Sequence, residues 1–183
     1  MLIYNPWLDQ FLAWVKEARS SVEIAAPMAQ LEVSRKVVDA LAGRPSPPRL
    51  RVLARLLGDD FLNGAMQPDV FRFLGPRIRV ITNLHAKFYL FDRKFAVVTT
   101  SNPTLDGMES NIEIGVQVKD PAQVAEIGRT FDRWWDAARE VDAQKLEDLV
   151  AKALATQAAQ RRSEDARLSR TLKEINALGG GGH

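Results

Sequence analysis

The chain has 183 residues, 46% of them hydrophobic and 26% charged, with a net charge of +2, the profile of a soluble globular protein with one sizeable core. It has no cysteine, which excludes disulfides, thiolate metal sites and a cysteine nucleophile, and only two histidines, which argues against a histidine-rich metal site within one chain. No stretch approaches the roughly 18 uncharged apolar residues of a membrane span, and residues 1–20 carry Asp9, Lys16 and Glu17, unlike a signal peptide, so a cytoplasmic setting away from membranes is expected.

Residues 7–19 place Leu8, Phe11, Leu12 and Val15 at helical spacing, with Pro6 near the first turn. Residues 21–26 read as a buried strand ending at Pro27, and 31–41 as a second helix closed by Gly43. After a break at 44–48, residues 50–57 read as a strand, 68–74 as a short helix with Pro68 at its start, and 77–82 as a strand. Residues 86–91 and 95–99 form two strands joined by a tight turn through Asp92, Arg93 and Lys94. Residues 103–108 are a short helix or turn, with Asp106-Gly107 read as turn chemistry alone. Residues 112–118 alternate as a strand, and 121–138 form a helix with Val124, Ile127, Phe131 and Trp134 on one face. Trp134 and Trp135 read as core or interface residues. Strands alternating with helices give an α/β fold.

From Val141 the texture becomes rich in Ala, Gln, Glu, Lys and Arg, with a thin apolar stripe through Leu146, Leu149, Val150 and Leu154. That predicts three parts: a domain over 1–140, a helical extension or linker of one or two helices over 141–178, and a flexible tail over 179–183. His183, in that tail, is not read as a ligand. The extension offers contact with a further domain or partner.

Charge is unevenly spread. Residues 31–94 hold twelve basic and six acidic residues, a local charge of +6, which leaves −4 for the remainder. A basic front half suits a polyanion, and a solvated surface of mixed charge is the competing reading.

The internal histidine is the sharpest feature. His85 and Lys87, two residues apart in a strand-like run, share one face. An imidazole beside a fixed ammonium suits phosphate chemistry, but one histidine cannot serve as nucleophile and leaving-group acid at once. Asp92 falls at the turn and is assigned a structural role. Asn102 can donate an amide N–H to a phosphate oxygen. Asn111 and Glu113 share a face of their own segment, so Glu113 can reach a histidine ring nitrogen and support the imidazolium.

His85-x-Lys87, Asp92, then Thr99-Thr100-Ser101-Asn102, and downstream Asn111-x-Glu113, resemble the phospholipase D superfamily pattern H-x-K-x4-D-x6-G-S-x-N with a later N-x-E. One departure stands out: Thr99-Thr100 occupies the Gly-Ser position, and Thr100 keeps the serine hydroxyl. The likeness spans roughly residues 6–138 and matches a single-motif, nuclease-like member. It implies a mixed β-sheet flanked by helices, with the helical extension outside it. It also implies phosphodiester cleavage through a phosphohistidine, with no metal and no cofactor. His85, Lys87, Asn102 and Glu113 would be catalytic, with Asp92, Thr100 and Asn111 supporting. Because the chain has one motif, a homodimer placing His85 of each copy at a two-fold axis is expected. The reading is a DNA endonuclease. The alternatives are a phospholipid-cleaving enzyme, and a non-catalytic DNA-binding or assembly module of a larger restriction or repair protein.

Overall fold

In chain order the elements are β1 (Leu2–Tyr4), α1 (Leu8–Glu17), β2 (Ser21–Ala25), α2 (Leu31–Leu41), β3 (Arg49–Ala54), α3 (Gly58–Leu62), α4 (Asp69–Leu74), β4 (Ile78–Val80), β5 (Phe88–Phe91), β6 (Phe95–Thr99), β7 (Ile114–Val118), α5 (Pro121–Ala137) and α6 (Ala143–Gly179). The computed structural model describes residues 1–179, so the terminal tail with His183 lies largely outside the described residues. The strands form one seven-stranded sheet in the order β1-β7-β6-β5-β2-β3-β4. β2, β3 and β4 run parallel to one another, and every other neighbouring pair is antiparallel.

The two faces are covered differently. On one, Phe11 and Val15 of α1, Val33 and Val37 of α2 and Phe71 of α4 pack on Ile24, Val52, Tyr89 and Val97. On the other, Phe131 and Val124 of α5 cover Ala25, Leu53, Phe88, Leu90 and Ala96. β2 is buried along its whole length, Ser21 and Glu23 included, because it lies at the centre of a sheet covered on both faces.

That centre also holds a charge the sequence did not flag. Glu23, fully buried, receives Arg51, Arg93 and, at 3.9 Å, Arg49, while Asp132 of α5 takes a second bond from each of the first two, at 2.7 Å. The Arg51 guanidinium also lies over Phe131 and Trp135, 4.9 and 5.3 Å from their centroids, and Arg79 over Trp135 at 4.8 Å. Trp135 is therefore clamped, half-buried, against the core.

Several boundaries shift. β3 ends at Ala54 instead of continuing to 57, because the Arg55 N–H turns away to Pro27 O. β7 starts at Ile114, since the Asn111 N–H is held by Asp106 O in the preceding turn. β1 and α3 are additional; each is too short to show periodicity. The extension is one helix. Its first turns pack Leu146 and Val150 into the core and pair Arg72 with Glu147. Beyond that, Leu154, Leu168 and Leu172 are exposed. No helix among the described residues is long and apolar enough to cross a membrane.

Candidate active site

The parallel strands β2, β3 and β4 all end at the same edge of the sheet, where ligand crevices form in open α/β folds. At that edge the chain enters β5 and leaves β6. His85 and Lys87 lie in the extended lead-in to β5, just outside the strand itself. Only Lys87 still touches the ladder, through its carbonyl, which accepts from Thr99 N at 3.1 Å. His85 is exposed and Lys87 half-buried, with its Nζ donating to the His85 carbonyl at 3.3 Å.

Thr100 and Asn102 follow β6 directly, and Asn111 and Glu113 precede β7, its antiparallel neighbour. The Thr100 hydroxyl donates to the Glu113 carboxylate, and Asn111 Nδ2 donates to its other oxygen at 3.4 Å. Glu113 is thus held by Thr100 and Asn111; the bond expected from it to the His85 ring is not made within the chain. Glu113 does reach Lys87 electrostatically. Burial pulls the Lys87 ammonium below its ordinary pKa, Glu113 supports its charge, and Arg55 opposes it. Burial, assisted by Glu113, pushes the Tyr89 phenol well up.

Asn102 is placed by its neighbours. Ser101 is buried, taking a hydrogen bond from Trp7 Nε1 at 3.3 Å on its hydroxyl and one from the Tyr89 hydroxyl at 3.0 Å on its carbonyl. Gln30 clamps the loop twice, donating from its N–H to Pro103 O at 3.0 Å and accepting from Leu105 N at 2.7 Å. Gly107 is more than turn chemistry. A Cβ there would lie 2.6 Å from the Asn102 carbonyl, so the bare backbone lets a π-helical turn at Asp106–Ser110 close against the Asn102 loop. Asn102 Oδ1 is buried without a partner among the described residues, and the side chain lines a cavity of about 290 Å³ with Gln30, Gln67 and Asn111. A second cavity, a groove of about 600 Å³, lies beside His85 between the segment after β4 and the end of α5, lined by Thr82, Asn83, Trp134 and Arg139.

Asp92 sits at the opposite end of β5, in the left-handed region (φ 52°) with Arg93 (φ 55°), the backbone that tight hairpin turns demand. Its carboxylate accepts from Arg19 N, Ser20 N and Ser21 N at 2.7–3.1 Å and from the Ser20 hydroxyl, joining the β5–β6 turn to the start of β2. Burial alone would raise its pKa; the backbone donors outweigh that and lower it. Asp92 is a clamp well away from the reacting edge.

The basic excess of the front half is largely consumed internally: Arg51 and Arg93 at Glu23 and Asp132, Arg72 at Glu147, Arg79 at Glu140, Arg55 at Asp60. Several acids in these pairs come from the acidic remainder of the chain, so much of the regional charge is paired on folding. Among the described residues, the cations at the reacting edge include Lys87, Arg55 and Arg139. The sequence assigns neither arginine to the site, since only the fold brings 55, 87 and 139 to one edge.

A family model described as cardiolipin synthase, PLD-like domain, matches residues 11–135. Among solved structures, the chain is similar to NucT from Helicobacter pylori (TM-score 0.63, 13% identity, 77% of this chain and 98% of that one). It is also similar to Nuc from Salmonella typhimurium, a phospholipase D family member (0.62, 16%, 77% and 96%). A third likeness is to the phosphatidylserine synthase of Haemophilus influenzae (0.61, 14%, 91% and 46%). At these identities the structural likenesses speak to fold. No curated protein matches in sequence.

Proposed function

The chain belongs to the phospholipase D-like family, and on that premise we propose that it is a metal-independent phosphodiesterase acting on DNA, with its site completed by a second copy. The observation that carries the reading is the gathering of His85, Lys87, Thr100, Asn102, Asn111 and Glu113 at one sheet edge. One His85 attacks phosphorus and forms a phosphorus–nitrogen bond. His85 of the second copy gives a proton to the departing oxygen. Water then breaks the phosphohistidine, losing its proton to that same second imidazole. Lys87 and Asn102 hold the charge that grows on the phosphoryl oxygens, and Glu113, itself fixed by Thr100, supports the charge of Lys87.

The sheet supports the second copy. α5 stops short of the outer strands, and Leu2, Tyr4, Val98, Ile114 and Val116 form cross-strand neighbours on one face, each between 40% and 58% exposed. This bare apolar face adjoins Glu113 and Thr100, next to fully exposed Ile112. Monomers rarely leave so contiguous a patch open, and a two-fold contact there would bring the two reacting edges together. Val116→Lys is the test: a shared site predicts a monomer with little turnover. Monomers that retain full turnover contradict it. The same patch also favours docking on a lipid surface, and flotation with anionic vesicles separates the two readings.

A further inference from the structure

Arg55 is the first residue beyond β3, at the same edge as Lys87, and its N–H donates to Pro27 O at 3.0 Å. Its guanidinium forks onto Asp60 of α3, with Nε to Oδ2 at 2.9 Å and Nη2 to Oδ1 at 2.7 Å. Asp60 is buried and the Arg55 side chain half-buried. The fork fixes the plane of the guanidinium and leaves Nη1 without a protein partner among the described residues. Lys87 precedes Phe88, which pairs with Ala25 of β2, and β3 lies on the other side of β2. The two cations therefore start about 10 Å apart, two strand spacings. They reach toward each other over the end of β2 closely enough for Arg55 to oppose the Lys87 charge. Arg55 has Asp60 as its own carboxylate, Lys87 has Glu113 only at longer range, and Lys87 still faces the Arg55 charge. Such an arrangement becomes favourable when an anion enters between or beside them.

We infer that Arg55 is a phosphate-binding residue that takes the phosphate next to the scissile one, so that the substrate is a polymer of phosphodiesters. The inference rests on the reading above, in which Lys87 and His85 hold the scissile phosphate. Asp60 is the positioning residue: it prevents the guanidinium from swinging onto the reacting phosphorus and aims Nη1 along the edge. A substrate with a single diester leaves Arg55 without a ligand.

Two measurements test this. In a His85→Ala background, binding of a labelled DNA oligonucleotide is followed against salt. Arg55→Gln should weaken it about tenfold and lower the slope of log affinity against log salt by about one. In the active protein, Arg55→Gln should cost about tenfold more kcat/KM on the oligonucleotide than on bis(p-nitrophenyl) phosphate. Should Arg55→Gln alone fail to fold because Asp60 is stranded, Arg55→Gln/Asp60→Asn removes both charges, and the same two results are expected of it. Equal loss on both substrates would place Arg55 at the scissile phosphate and overturn the inference. Unchanged binding and turnover would reduce the pair to a tether of α3 and overturn it too. A parent protein silent on both substrates, with the binding result as expected, would sink the catalytic reading and leave Arg55 a phosphate ligand.

Discussion

Thr99 and Gly115 face each other across the β6–β7 ladder, and a Cβ on Gly115 would lie 2.9 Å from the Cβ of Thr99. Thr99 stands where the family pattern has glycine, and the space its side chain needs is supplied by a glycine on the neighbouring strand. The Thr99 hydroxyl is satisfied by Ile114 O at 2.9 Å and accepts from Ser101 N at 3.2 Å, so the added bulk sits in the sheet and leaves Thr100 free to hold Glu113. Gly115→Ala should therefore destabilise the fold by about 1–3 kcal/mol through overpacking. Thr99→Gly should relieve most of that loss when combined with it. A double-mutant cycle by urea denaturation checks this, and strictly additive losses would contradict the compensation.

Asp92 is predicted to be a stability residue. Asp92→Ala strands the Arg19, Ser20 and Ser21 N–H groups and should cost roughly 1–2 kcal/mol while turnover per folded molecule is retained. Its carboxyl pKa is lowered by folding. Its stabilisation is thus fully present above the ordinary carboxylate range and fades as pH falls through the lowered folded value. Denaturation midpoints of parent and variant should converge in acid. A gap that persists at low pH would contradict the clamp.

Glu23 anchors a buried network, so its loss should be costly. Glu23→Ala leaves Arg51 buried with only half its partners and is expected to cost about 3–5 kcal/mol. Glu23→Leu/Arg51→Met removes both charges and should recover much of the loss. Hydrogen bonds from Arg93, ahead of those from Arg51, hold the Asp132 carboxyl down to about 2 against its burial. That share of stability survives to lower pH than an unpaired carboxylate would allow and is lost as pH approaches that value. Equilibrium denaturation across pH 2–5 reads both effects.

Turnover should need a cationic Lys87. Folding lowers its pKa through burial and Arg55, so the alkaline limb of the kcat/KM profile is expected below the ordinary lysine range. Arg55→Gln removes an opposing charge and should move that limb upward. Lys87→Met should abolish activity. An alkaline limb that does not move in Arg55→Gln would contradict the electrostatic contact.

What the sequence reveals follows from the range of the interaction behind it. Strands β2, β5 and β6 are legible because apolar β-branched and aromatic runs need only local pattern. The His85-to-Asn102 spacing is legible because it lies within one hairpin. Glu23 with Asp132 joins residues more than a hundred positions apart, and no local pattern marks such a pair. Charge counting over residues 31–94 points to a polyanion surface, but counting does not tell a free arginine from one consumed at Glu147 or Glu140. Gly107 reads as an ordinary turn, since its partner, the Asn102 carbonyl, is found only once the loop is closed. The bare face over β1, β7 and β6 depends on where α5 stops, which no alternation pattern encodes.

The most direct measurement is a phosphodiesterase assay in EDTA on plasmid DNA and on bis(p-nitrophenyl) phosphate, comparing the parent with His85→Ala. The expected result is cleavage of both by the parent, no cleavage by His85→Ala, and an acid-labile phosphoryl group trapped on His85 during turnover. Intact substrates with the parent, or equal cleavage by His85→Ala, would contradict the proposed chemistry.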